Sequence, residues 1–304
     1  IRSGFNTICI IHDLVDCFKN LAVSTTLFAD DLKLYTSHGL TDCSCDLTEA
    51  LNRVSVWAKT WQLTINSTKC NVLRIVNPRC KNKSDIVYDL NGSSLKVLSV
   101  VKDLGVAVDN NLRFDNHISS VVHKSLQRGN LILKCFQSRD RNLLMKAFKV
   151  YVRPLLEYAT PVWSPHFMYL ILKIEHVQRS FTKRLFGLKN LTYIDRLKQL
   201  EIDTLEHRRL IYDLCTCFKI IHGYNDTCIV MKKTNLERRP NNTRGHNLKL
   251  TKELCRTDIL RFYFCNRICD VWNSLPIDVV NAPSVNSFKK RVTKINLDRF
   301  LTIK

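Results

Sequence analysis

The sequence predicts an α+β chain, in which a small sheet with one helix comes first and an all-helical region comes after it. Three observations carry this expectation. Up to Leu112, β-branched and apolar residues fall in short runs bounded by turn residues; beyond Phe114 they recur every three or four positions. The charge changes at the same place. Through Leu112, 12 Lys+Arg stand against 11 Asp+Glu, net +1, whereas from Arg113 onward 35 stand against 16, net +19. Lastly, Asn91-Gly92 between apolar runs is a strong two-residue hairpin signal.

In chain order, the β-rich run Ala22–Phe28 and the alternating run Leu32–Thr36 predict a tight hairpin with Ala29-Asp30-Asp31 at its tip. Two adjacent aspartates gain nothing from packing there. They can be an ordinary Asp-Asp turn, or they can hold a divalent cation, since Mg²⁺ takes one or two carboxylates plus substrate phosphates. From Thr41 to Trp61 an acidic start, then Leu47, Leu51, Val54 and Trp61, predicts a helix under the hairpin. Strands are expected at Asn71–Val76, Ile86–Leu90 and Leu95–Val100.

Beyond Phe114 the spacing predicts three helical stripes. The first is Ile118, Val121, Val122, Leu126, Ile132, Leu133 and Phe136. A second is Leu144, Ala147, Phe148, Tyr151 and Leu155, disturbed at Pro154. The third is Leu210, Leu214, Cys217, Phe218 and Ile221. These readings divide the chain into residues 1–112, a helical part 113–233, a polar linker 234–247 and a C-terminal helical unit 248–304.

Ala29-Asp30-Asp31 after a β run resembles the metal-binding hairpin of reverse transcriptases, and the segments downstream of it resemble those of non-LTR retrotransposons of the jockey/CR1 type. Ile65-Asn66-Ser67-Thr68-Lys69-Cys70 is similar to the element behind their active site. Lys102-Asp103-Leu104-Gly105-Val106 with Leu112–Ile118 resembles the passage from palm to thumb. Tyr158–Trp163, Leu205–Arg209, Thr243–His246 and Val271–Pro276 look like further landmarks in the family's order. The resemblance implies an incomplete reverse-transcriptase palm, a helical thumb and a helical C-terminal region. It implies an RNA-directed DNA polymerase working with Mg²⁺ (or Mn²⁺) on an RNA template and a DNA primer. Asp30 and Asp31 would then be metal ligands, Lys69 would lie near the triphosphate, and Leu104-Gly105 would form the primer-grip turn. Lys124, Arg128 and Lys134, off the first apolar stripe, would contact phosphates through charge.

The family carries a further catalytic aspartate on a strand well upstream of the hairpin. Only 29 residues precede Asp30, and Asp13 and Asp16 there lie in no apolar strand run. The expectation is therefore the back half of a polymerase, inactive as this chain alone. The competing reading is a non-catalytic basic nucleic-acid-binding remnant.

A net charge of +20 suits a polyanionic partner. An anionic membrane is the other class, but no stretch sets Lys and Arg beside Trp and Phe as a membrane-surface helix does. No apolar run approaches the ~20 residues needed to span a bilayer, and no secretory signal is seen. An intracellular ribonucleoprotein, nuclear or cytoplasmic, is expected. The 13 cysteines follow no disulfide framework. Cys215, Cys217, His222 and Cys228, or Cys255, Cys265 and Cys269, lack the two-residue gap of structural zinc sites, so no zinc is expected. Trp163 and Trp272 read as core anchors.

Overall fold

In the computed structural model, residues 13–37, 44–75, 86–224, 246 and 248–303 are described. The chain divides into two units. One runs to Asp103 and includes Asp109–Asn111; the other comprises Leu104–Val108 and everything from Leu112.

The first unit opens with the antiparallel hairpin β1 (Ser24–Phe28) and β2 (Asp31–Tyr35), paired from Ser24↔Tyr35 to Phe28↔Asp31. The two-residue period gives it two faces. Val23, Leu32 and Leu34 pack on a core of Leu14, Phe18, Ala50, Val54, Trp57 and Ala58, most of it supplied by helix α1 (Ser44–Thr60). Arg53 fastens α1 by donating to the Cys17 carbonyl at 2.9 Å. The sequence spacing puts Trp61 on the buried stripe, but Trp61 is 43% exposed and Trp57 only 9%. The helix ends first: Gln62 turns left-handed (φ 54°), and the Leu63 amide closes on the Ala58 carbonyl at 2.8 Å. Leu63 therefore takes the inward place expected of Trp61.

A second small core of Tyr88, Leu90 and Leu95, with Leu47, Leu51 and Val72, binds the remaining strands. Strand β3 (Asn71–Leu73) pairs in parallel with β6 (Lys96–Leu98), and β4 (Asp89–Leu90) pairs with β5 (Ser93–Ser94). Asn91 (φ 54°) and Gly92 (φ 76°) supply the two positive dihedrals of a type I′ hairpin. These strands are shorter than the sequence pattern suggests, and Val76 lies outside the described residues. Strand β7 (Val100–Asp103) comes next.

The second unit runs from Val106–Val108 of strand β8 (Val106–Asp109) into a helical array from Leu112 onward. Its first core joins α2 (Asp115–Cys135), α3 (Arg141–Ala147), α4 (Arg153–Glu157), α5 (Thr160–Trp163) and α6 (Met168–Lys183) around Ile118, Phe148, Leu156, Trp163 and Phe181. Between α3 and α4 a π-helical turn, Phe148–Val152, inserts one residue into the helical count. The second stripe therefore changes phase. Val152 and Leu156 are fully buried, while the expected Tyr151 is 56% exposed and Leu155 only half-buried.

Helices α7 (Tyr193–Gln199) and α8 (Leu205–Ile221) come next. Thr192 and Thr204 cap them by accepting from the Asp195 and His207 amides. Glu175 of α6, fully buried, accepts from the Leu205 amide with both oxygens and from the Tyr193 hydroxyl. Burial pushes its carboxyl upward, against the pull of those donors.

The last core combines Leu214, Cys217 and Phe218 of α8 with Leu248, Leu250, α10 (Phe264–Asn273), α11 (Ile277–Val280) and α12 (Val285–Val292); the short α9 (Asp258–Arg261) precedes α10. Residues 248–297 thus share a core with α8. Of the expected linker 234–247, only His246 is described; it is buried, its ring edge-on to Trp272 at 6.2 Å. Trp272 and Trp163 are both fully enclosed.

Candidate functional site

The hairpin tip places Asp30 and Asp31 together, both exposed. Ala29 and Asp30 form the two-residue loop, and Asp31 is the first residue of β2, across from Phe28. Ala29 sits at φ 52°, a left-handed position that costs an L-residue roughly 1–2 kcal/mol. The alternation of β2 sets Asp31 and Lys33 on one face, away from Leu32 and Leu34. Lys33 pairs with Asp103 at 2.6 Å. The sequence-derived site lacks Asp103, although Lys33 at i+2 from Asp31 is a legible signal that the tip's face carries charge.

Lys69 ends a short 3₁₀ turn, Ser67–Lys69. Asn66 builds that turn, its side chain accepting from the Thr68 amide at 3.1 Å and the Thr68 hydroxyl at 2.6 Å. The Asn66-x-x-Lys69 spacing is thus a capped turn that presents Lys69 at the surface. Among the described residues, no three His, Cys, Asp or Glu side chains gather closely enough to hold a metal ion. The donors present do fit a hard cation: Asp30 and Asp31 offer only carboxylate oxygens, the ligands Mg²⁺ prefers.

In the second unit, Leu104 (φ 43°) and Gly105 (φ 89°) have the two left-handed conformations of a type I′ turn. Tyr158 holds the turn: its hydroxyl donates to the Leu104 carbonyl at 2.8 Å. Its ring lies 3.4 Å from where a Cβ on residue 105 would stand. Trp163 Nε1 in turn donates to the Tyr158 carbonyl at 2.7 Å. Two stretches that are separate in the sequence, Leu104-Gly105 and Tyr158–Trp163, are one structural joint.

Lys124, Arg128 and Lys134 are all exposed on α2, opposite buried Ile118, Val122, Ser125, Gly129 and Ile132. At about 100° per residue, Lys124 and Arg128 share a face, and Lys134 is rotated away by about 80° from Lys124 and about 120° from Arg128. Arg128 also donates to the Tyr151 carbonyl at 3.3 Å, which holds its guanidinium on the helix surface.

The other landmarks have structural partners. Arg208 pairs with Glu157, and Glu206 accepts from the Thr302 and Ile303 amides. Burial pushes the Cys217 and Cys265 thiols up, the latter to about 11, and both lie in the last core. Cys228 lies outside the described residues. No described helix is long and apolar enough to cross a membrane.

No protein-family profile matches the chain, and no solved structure matches it. Over 126 residues, 40% of its length, it is 32% identical to an uncharacterized protein of Caenorhabditis elegans, covering 64% of that protein. Over 166 residues, 53% of its length, it is 28% identical to the RNA-directed DNA polymerase from mobile element jockey of Drosophila funebris. The corresponding jockey polymerase of Drosophila melanogaster is 25% identical over the same length. The match spans 18% of each jockey polymerase, so the matched half of the chain corresponds to under a fifth of those proteins. Over about half its length, the chain is related in sequence to the RNA-directed DNA polymerase of the mobile element jockey.

Proposed function

We infer that this chain is a portion of a retrotransposon RNA-directed DNA polymerase, its first unit part of a reverse-transcriptase palm and its helices the thumb and C-terminal region. The exposed Asp30-Asp31 pair at a two-residue hairpin tip carries the reading, and the similarity to the jockey polymerases supports it. In this reading Asp30 and Asp31 hold Mg²⁺ or Mn²⁺, which would neutralise charge on the transferring phosphoryl group. Lys69 stands near the leaving pyrophosphate. The Leu104-Gly105 turn approaches the DNA primer end, where a residue without a side chain lets backbone come close. Lys124, Arg128 and Lys134 contact backbone phosphates of the RNA template and its primer without reading sequence.

A second reading, a nucleic-acid-binding chain without catalysis, is favoured by one observation: the described residues bring no third carboxylate to the aspartate pair. One experiment separates the two. The chain is given a DNA primer on an RNA template with deoxynucleotides and Mg²⁺ or Mn²⁺. Incorporation that Asp30→Ala abolishes supports the polymerase; binding without incorporation supports the second reading. Failure to bind the template–primer overturns both.

A further inference from the structure

The Leu104-Gly105 turn is exposed, yet the chain around it is tied down on both sides. Leu104 is 40% exposed and Gly105 is open to solvent, so the turn gains little from a core. On one side the Tyr158 hydroxyl donates to the Leu104 carbonyl at 2.8 Å. On the other, the Ala107 amide of β8 donates to Nδ1 of His117 on α2 at 3.2 Å. Both anchors meet at Trp163 of α5. The His117 ring stands edge-on to the indole at 5.1 Å, and the indole Nε1 donates to the Tyr158 carbonyl at 2.7 Å. These contacts close a ring through Leu104, Ala107, His117, Trp163 and Tyr158. His117 and Trp163, both buried, form its fixed side.

Two strained residues flank the Tyr158 bond. Leu104 (φ 43°) and Ala159 (φ 53°) are left-handed without being glycine. Such conformations persist only where the surroundings over-determine them, and they gather at ligand clamps and switch regions. Tyr158 is itself 56% exposed, so its ring does not serve to fill a core. It lies against the turn instead: the three atoms nearest to where a Cβ on residue 105 would stand all belong to Tyr158. A hydroxyl that pins one carbonyl of a strained, exposed turn fixes the direction of the backbone there. It adds no charge, so it contributes nothing to the attraction of phosphates.

We propose that Tyr158 is a positioning residue: through its bond to the Leu104 carbonyl it sets where the Leu104-Gly105 turn meets the 3′-terminal nucleotide of the primer, without adding to overall affinity. This rests on the polymerase reading given above.

The test uses the full chain and a DNA primer on an RNA template, with 4-thiothymidine placed either at the primer 3′ end or several nucleotides back. Fluorescence anisotropy gives the affinity, photo-crosslinking with peptide mapping gives the position of each label, and thermal unfolding shows that each variant is folded. Tyr158→Phe keeps the ring and removes the donor. Tyr151→Phe, an equally exposed tyrosine on the π turn, is the control. In the parent, the terminal label should crosslink to the segment around Leu104. Tyr158→Phe should lower that crosslink about fivefold, the population change one neutral hydrogen bond sustains, while affinity and the internal crosslink stay within about twofold. The control should match the parent throughout. A Tyr158→Phe chain that crosslinks like the parent overturns the proposal. So does one in which affinity and both crosslinks fall together, because Tyr158 would then be a structural residue only. A parent that binds template–primer but crosslinks its terminal label elsewhere overturns the proposal and spares the polymerase reading. A parent that does not bind template–primer removes both.

Discussion

Arg267 grips Asp213 with two parallel bonds, Nε to Oδ2 at 2.9 Å and Nη2 to Oδ1 at 3.1 Å, and Nη2 also donates to the Pro161 carbonyl at 2.8 Å. One guanidinium therefore joins α10 to α8 and to the first turn of α5. The Asp213 side chain is 4% exposed, and burial pushes its carboxyl upward while Arg267 pulls it back.

Breaking one side of such a pair strands the other charge without water. Arg267→Ala should lower unfolding free energy by about 3–5 kcal/mol, seen as a fall in the urea midpoint at unchanged slope. Asp213→Leu combined with Arg267→Met should recover part of the loss, because neither member of the pair is left buried without the other, while the buried Arg209 still faces Glu175 and Glu206. A single variant within about 0.5 kcal/mol of the parent would show that the pair is solvated, contrary to its burial.

Acid should loosen the second unit. Burial lowers the pKa of His117, His166 and His246, with Lys124, Arg113 and Lys249 among the cations adding to the effect. A histidine whose folded pKa is depressed binds its proton more readily when unfolded. Its stabilising contribution is therefore complete above its ordinary pKa, near 6.5, and is lost as pH falls below it. His117 is the sharpest case: Nδ1 accepts from the Ala107 amide at 3.2 Å, which fixes the neutral tautomer. Urea midpoints should fall between about pH 7.5 and 5.5, and His117→Gln should flatten part of that fall. A rise in stability over the same interval would contradict the assignment.

Local chemistry is legible in the sequence wherever a few adjacent residues decide it. Asn91-Gly92 makes its turn because both positions need positive φ, and Asn66 makes its cap because a short amide reaches its own backbone. What the sequence hides depends on the whole element. Trp61 looks buried until the left-handed Gln62 ends the helix, and Asp103 meets Lys33 only after folding. The π turn is the clearest instance. No turn residue announces it, yet one extra residue moves every later side chain by about 100°.

That shift gives a direct check. With the π turn, Val152→Ala removes two buried methyl-sized groups and should cost about 2 kcal/mol, whereas Tyr151→Ala should stay within about 0.5 kcal/mol. An uninterrupted helix, as the stripe through Tyr151 and Leu155 predicts, requires the reverse order.

At the hairpin tip, the left-handed Ala29 is the residue immediately before the aspartate pair. Of the two loop residues Ala29 and Asp30, Ala29 has the positive φ, a position that favours Gly, which takes it without a Cβ clash. Ala29→Gly removes that clash but loosens the unfolded chain, so the net gain should be about 0.5–1 kcal/mol. If the strain serves to hold the two carboxylates in place, relaxing it should also weaken Mn²⁺ binding at the tip, because the loop then samples more conformations. Manganese-induced broadening of the Asp30 and Asp31 resonances, tracked in the parent, in Ala29→Gly and in Asp31→Asn, reads this out. The expected order of affinity is parent first, Ala29→Gly second and Asp31→Asn last. An Ala29→Gly variant that is both more stable and equally tight would show that the strained alanine plays no part in presenting the aspartates.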